Sequence, residues 1–113
     1  MSRQLAPLSI EQLNDAFRAA LPFGGRGRAV MTRAVAALPP EQLARVLDTV
    51  RRFAAFTPDN DPWGEHDCAT FVVDGERFLF KFDYYDSAAC EGGAESGGSE
   101  CYRVLTIMTA ADY

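Results

Sequence analysis

Apolar positions recur every three or four residues in the first half of the chain and every second residue in the second half, so the pattern predicts helices followed by strands. Leu13, Ala16, Phe17, Ala20 and Leu21 make the stripe of a first helix that starts at Ile10 and stops at Pro22 and Gly24-Gly25. Ser9 suits its N-cap, Gln12 completes a capping box, and Leu8 is placed to staple onto Leu13. The segment RGRAVMTRAVAAL carries both periods and reads as a short extended piece followed by a short helix, with residues 28–33 open between strand and helix. Pro39-Pro40 then opens a long helix to about Ala55, with Pro40 in the first turn, where its missing N–H is harmless, and Glu41 near the positive helix end. Leu43, Val46, Leu47, Val50, Phe53 and Ala54 form its inward face, and Arg45, Asp48, Arg51 and Arg52 its outward one.

In the second half, Thr70–Val73 and Arg77–Tyr84 flank Asp74-Gly75, a strong two-residue hairpin signal. That turn sets Val73 opposite Glu76 and Phe71 opposite Phe78, so Phe71, Val73, Phe78, Phe80 and Phe82 share one face for the helices to cover. Residues 87–100, SAACEGGAESGGSE, lack periodicity and read as a flexible loop, and CYRVLTIMT, 101–109, returns as a third strand. The expected fold is one α+β domain over residues 1–113: about three N-terminal helices packed on a C-terminal three-stranded antiparallel sheet. The helical half is 1–56, an acidic turn spans 57–67, and the antiparallel meander is 68–113.

Charge sharpens the division. Residues 1–56 hold eight Lys/Arg against four Asp/Glu, and residues 57–113 hold three against twelve, so a half at +4 precedes a half at −9. With 113 residues, 48% of them hydrophobic, the chain suits a single core that buries roughly 60–70% of its unfolded-chain surface. No apolar run approaches the ~20 residues of a membrane span, and the N-terminus lacks the apolar core of a signal peptide, so a cytoplasmic protein is expected. A pI near 4.7 argues against general nucleic-acid binding and for a basic partner.

The turn TPDNDPWGEHD concentrates the residues that carry chemistry. Asp59, Asp61 and Gly64 resemble the start of a calcium loop, but Trp63 and Thr70 stand where an oxygen ligand and a bidentate carboxylate belong, so no metal or other cofactor is expected. His66 is the only histidine; no nucleophile elbow, second zinc ligand or phosphate-cradling loop accompanies it, so no enzyme is expected, and the plain reading is a histidine bonded to its own turn. FGGRGR resembles RGG-type nucleic-acid segments, in a single copy on an acidic chain. Cys90 and Cys101 bracket the 87–100 loop and Cys68 stands apart, which makes Cys68 the candidate for an intermolecular disulfide and a homodimer under oxidising conditions; in a reducing cytosol three free thiols are expected.

The remaining signal is acidity. Asp59, Asp61, Glu65, Asp67, Asp74, Glu76, Asp83, Asp86, Glu91, Glu95 and Glu100 fall in turns, loops and strand edges. The plain reading is a solubilising surface. The sharper one is that closely spaced carboxylates imitate the phosphates of DNA and occupy a basic nucleic-acid channel, with Trp63, Tyr84, Tyr85 and Tyr102 adding contact area.

The runs VMTRAVAALPPEQL, FTPDNDPWGEHD, FKFDYYD and RVLTIM, up to the C-terminal tyrosine, resemble a small uncharacterised bacterial domain family often found on plasmids and prophages. The likeness covers most of the chain, and its main departure is the Gly/Ser/Glu-rich insertion around Cys90. The sequence is also similar to anti-CRISPR proteins that inhibit the type I-C surveillance complex, Cascade. That resemblance implies a DNA-mimicking surface that blocks target loading, binding to Cascade rather than to nucleic acid or membrane, and no catalytic residue. The alternative is an accessory domain of mobile elements that binds nucleic acid or a regulator through Arg26, Arg28, Arg33, Arg51 and Arg52.

Overall fold

The computed structural model describes residues 8–22, 26–86 and 101–113. Helix α1 runs from Ile10 to Ala19, with the Ser9 hydroxyl accepting from the Gln12 amide at 3.1 Å and the Gln12 side chain accepting from the Ser9 amide at 2.9 Å, the capping box that the sequence predicts. Leu8, the expected staple, stays more than half exposed. The buried face of α1 is also rotated from its apolar stripe. Phe17 and Leu21 go inward together with Asn14 and Arg18, while Ala16 and Ala20 stay exposed.

The residues 27–31 form a strand, β1 (Gly27–Met31), followed by the four-residue helix α2 (Arg33–Ala36), so the extended-then-helical reading of this segment holds. Its consequence for the sheet differs from expectation. β1 pairs in parallel with the last strand, β4 (Tyr102–Thr109), which makes the sheet four-stranded and mixed instead of three-stranded and antiparallel, with order β1-β4-β3-β2. Glycine at position 27 permits this approach: its φ is +156°, and a Cβ there would collide with the Arg103 carbonyl and the Phe17 ring.

Helix α3 spans Pro40–Arg52, with Pro40 at its start and Arg51 and Arg52 in the last turn, where cations suit the negative helix end. It ends three residues before Ala55. Phe53 is already extended, at φ −58° and ψ 129°, because the Arg18 guanidinium donates to the Val50 and Phe53 carbonyls at 2.8 and 3.0 Å and substitutes for a further helical turn. Ala54, expected inside, is exposed, and Phe53 and Phe56 are directed to the sheet, where both meet Phe80 edge-on.

The hairpin of β2 (Cys68–Val73) and β3 (Glu76–Tyr85) has the predicted register, Phe71 opposite Phe78 and Val73 opposite Glu76. Asp74 and Gly75 both have positive φ, 53° and 79°, as a type I′ turn requires. Phe71, Val73, Phe78, Phe80 and Phe82 are all buried on the helix side of the sheet, against Phe17, Val35, Val46 and Val50. A short 3₁₀ turn, Ala110–Asp112, closes the chain, and the Asp112 carboxylate accepts from Thr32 at 2.6 Å and from the Thr109 amide at 3.1 Å. These bonds hold the Asp112 carboxyl below the usual range and tie the end of β4 to the start of α2.

Candidate functional site

The connection from α3 to β2 is built on its own side chains. Thr57 and Asn60 bond reciprocally, amide to side chain, at 2.7 and 3.3 Å, and the Asn60 amide group donates to the Ala55 carbonyl at 2.9 Å. Asp61, expected at the acidic surface, is 8% exposed; its carboxylate accepts from the Glu65 and His66 amides at 3.2–3.3 Å and so fixes the turn from inside. His66 has φ +54°, held by that turn.

His66 does more than bond its own turn. Nδ1 lies 2.9 and 3.0 Å from the two Asp15 oxygens on α1, and Nε2 lies 3.4 Å from Glu11 and 3.6 Å from Asp61. The ring is stacked on Phe56, with centroids 3.9 Å apart and planes 5° from parallel. Asp15 also pairs with Arg18, whose guanidinium lies over the Phe56 and Phe80 rings at 5.4 and 5.1 Å. Burial lowers the pKa of Arg18, partly offset by Asp15.

A second buried set stands next to the first. Asn14, fully buried, donates to the Glu65 carbonyl at 3.0 Å and to the Tyr84 hydroxyl at 2.9 Å, and its oxygen accepts from Arg103 Nε at 3.0 Å. Arg103 lies over the Tyr84 ring at 5.4 Å, and burial pushes the Tyr84 phenol upward, with Asp67 and Glu65 adding to the effect. The sequence reading found none of Glu11, Asn14, Asp15, Arg18 and Arg103. The available signal was polar residues at helical spacing on the side of α1 that carries Phe17 and Leu21.

The acidic residues fall into three groups. Asp59 is exposed and Glu65 and Asp67 half-buried at the turn, close enough that burial first, then Asp67 and Asp61, raise the pKa of the Glu65 carboxyl. Asp74, Glu76 and Asp83 are engaged elsewhere: Asp74 pairs with Arg45 at 2.6 Å, Glu76 accepts from Gln42 at 3.4 Å, and Asp83 pairs with Lys81 at 3.0 Å. Asp86 is exposed at the end of β3, and Glu91, Glu95, Glu100 and Cys90 lie outside the described residues. The structure therefore places Glu65 and Asp67 together with Glu11, Asp15 and Asp61, and does not bring the hairpin carboxylates into that cluster.

Trp63 is 84% exposed beside an open hollow of about 380 Å³ lined by Phe56, Pro58, Asp61, Pro62 and His66. Among the described residues no group of three or more His, Cys, Asp or Glu side chains is arranged to hold a metal ion. Cys68 is exposed at the start of β2, yet its thiol is partly desolvated by its neighbours, and this first, then Asp67 and Asp61, raises its pKa, with Lys81 opposing. Cys101 is buried. Of the arginines in the basic alternative, Arg51 and Arg52 share Asp48 at 3.7 and 3.1 Å, and Arg26, Arg28 and Arg33 are exposed. No helix among the described residues is long and apolar enough to cross a membrane.

A family model described as a protein of unknown function, DUF3768, matches residues 31–112. The match takes in α2, α3, the turn and β2–β4, and leaves out α1 and most of β1. Comparison with curated proteins and with solved structures gives no match.

Proposed function

The chain belongs to the DUF3768 family, whose description assigns no activity, and we propose that it works as a stoichiometric binding protein whose acidic face at the turn docks on a basic, nucleic-acid-binding surface. The observation that carries this is the gathering of Glu11, Asp15 and Asp61 around the His66 ring, with Glu65 and Asp67 close to Asp61 on the same turn and a tryptophan left in solvent. Crowded carboxylates make one another costlier to ionise, as the raised Glu65 pKa reflects, and a partner's lysines or arginines relieve that cost. Trp63 supplies the large apolar contact typical of an interface centre.

The type I-C surveillance complex is the partner that the sequence resemblance implies. On this reading the chain is an anti-CRISPR protein from a phage or prophage acting in the bacterial cytoplasm, it binds Cascade in place of target DNA, and it has no catalytic step and no affinity for nucleic acid. The contact set narrows to Asp59, Glu65, Asp67 and Trp63, with Asp86 at its margin. Asp74 and Asp83 become secondary, because Arg45 and Lys81 pair with their charges, and Glu76 because it is bonded to Gln42 away from the turn. A Cys68–Cys68 disulfide between copies belongs to oxidising conditions only, since the raised thiol pKa keeps thiolate scarce.

The test is a binding assay with purified type I-C Cascade. Glu65→Lys with Asp67→Lys, and Trp63→Ala separately, are expected to weaken the complex, while Asp74→Lys with Asp83→Lys changes it little. Equal losses from both charge-reversed pairs would point to bulk charge and contradict a localised face.

A further inference from the structure

Trp63 stands outside the core. It is the only tryptophan of the chain, it is 84% exposed, and with Phe56, Pro58, Pro62 and His66 it lines the open hollow of about 380 Å³. That volume is at the small end of the ~300–1,000 Å³ typical of ligand sites, so it suits one side chain of a partner. The walls are set before anything enters. The Asp61 amide donates to the Thr57 carbonyl at 2.8 Å and the Gly64 amide to the Asp61 carbonyl at 3.0 Å, while Pro58 and Pro62 have their φ fixed by their own rings. A hollow held in this way spares an occupant the cost of ordering it.

Charge selects the occupant. The one carboxylate in the lining, Asp61, is buried and meets only the Glu65 and His66 amides and, at 3.6 Å, the His66 ring. Glu65 and Asp67 stand close to it on the same turn, and Asp59 is exposed between the two prolines. Among the described residues no lysine or arginine side chain is bonded to Asp59, Asp61, Glu65 or Asp67. The nearest such cations are taken: Arg18 is held by Asp15 and the carbonyls of Val50 and Phe53, and Lys81, opposite Cys68 on the hairpin, pairs with Asp83. The hollow therefore joins aromatic surface to negative charge that no lysine or arginine of the described chain balances. A planar cation answers both. Arginine is flat, weakly hydrated and stacks on rings, whereas the lysine ammonium is compact and strongly hydrated. The fold already uses this pairing, since the Arg18 guanidinium lies over Phe56, the ring on which His66 is stacked, and is balanced by Asp15.

We propose that the Trp63 hollow is the seat of a single arginine side chain from the partner, whose guanidinium lies against the indole and whose charge is met by Asp59, Glu65 and Asp67. This rests on the reading of the turn as a docking face and adds which side chain a partner presents there.

The probe is a capped pentapeptide with one arginine among glycines and serines, titrated into the full chain at fixed ionic strength and in the absence of Cascade. Matched peptides carry citrulline, the uncharged isostere, or lysine in its place. Because Trp63 is the sole tryptophan, its emission reports the hollow directly. The expected result is a saturable change with a dissociation constant of about 1–10 mM, several-fold weaker with lysine and more than about tenfold weaker with citrulline. Glu65→Gln with Asp67→Asn is expected to weaken the arginine peptide several-fold while leaving the unfolding midpoint in place. Trp63→Ala, a change at an exposed side chain, is expected to abolish the peptide-induced NMR shifts of the Gly64 and His66 amides. No change in Trp63 emission with excess arginine peptide, or an equal response to citrulline or to lysine, would overturn the proposal. Cascade binding by a chain that ignores the arginine peptide strikes the arginine seat and leaves the docking face standing; arginine binding by a chain that ignores Cascade supports the seat and contradicts the Cascade reading.

Discussion

Arg18 decides more of this structure than any apolar residue of α1. Its guanidinium is buried, ends α3 by taking the Val50 and Phe53 carbonyls, lies over two phenylalanine rings, and holds the Asp15 carboxylate that meets His66. Arg18→Met is therefore expected to destabilise the fold by about 3 kcal/mol or more, because two buried carbonyls lose their donor. Asp15→Asn removes a partner that is nearly half exposed and is expected to cost no more than about 1 kcal/mol. Urea denaturation of the two variants measures both. Tyr84 gives a pH prediction with a defined sign. Its phenol pKa is raised in the folded chain, first by burial, so its contribution to stability is complete below the ordinary phenol range and is lost as pH rises through the folded value. Alkaline unfolding should soften in Tyr84→Phe; the same stability slope above that range in both proteins contradicts the assignment. The sequence could not display these roles, because hydrophobic periodicity counts Asn14 and Arg18 as outward and the partners that permit their burial stand as far as 89 residues away.

At the level of elements, local signals were legible wherever local chemistry dictates the backbone. Ser9 and Gln12 fix the start of α1, Pro40 that of α3, and Asp74-Gly75 the hairpin register, and each is found as the sequence predicts. Pairing of β1 with β4 was not legible. Five residues carrying both periods do not announce a parallel partner more than 70 positions later, and the enabling detail is the backbone of Gly27 against Arg103. Gly27→Ala forces both a disfavoured φ and a collision, so it is expected to cost about 1–3 kcal/mol and to loosen β1 first. Hydrogen exchange checks this: the Thr32 amide, bonded to Ile107, should lose protection before the hairpin amides of β2 and β3. The early end of α3 has the same kind of cause, a side chain from another helix substituting for the next turn.

For the whole molecule, the division into basic and acidic halves proved coarser than the surface itself. Two acidic residues of the basic half, Glu11 and Asp15, join the turn, while three from the acidic half are engaged by Arg45, Gln42 and Lys81. The candidate site was thus legible in its central residues, Glu65, Asp67 and Trp63, and illegible in its α1 contribution, which only folding brings near. A face of this charge should bind in a salt-dependent way, weakening as ionic strength rises and the screening length falls below about 10 Å. The most direct measurement mixes the chain with type I-C Cascade at low salt and follows loading of labelled target DNA. The account predicts a stoichiometric complex that excludes the DNA, fails with Glu65→Lys and Asp67→Lys, and does not form when target DNA is loaded first. Normal DNA loading in the presence of saturating, folded protein would contradict it.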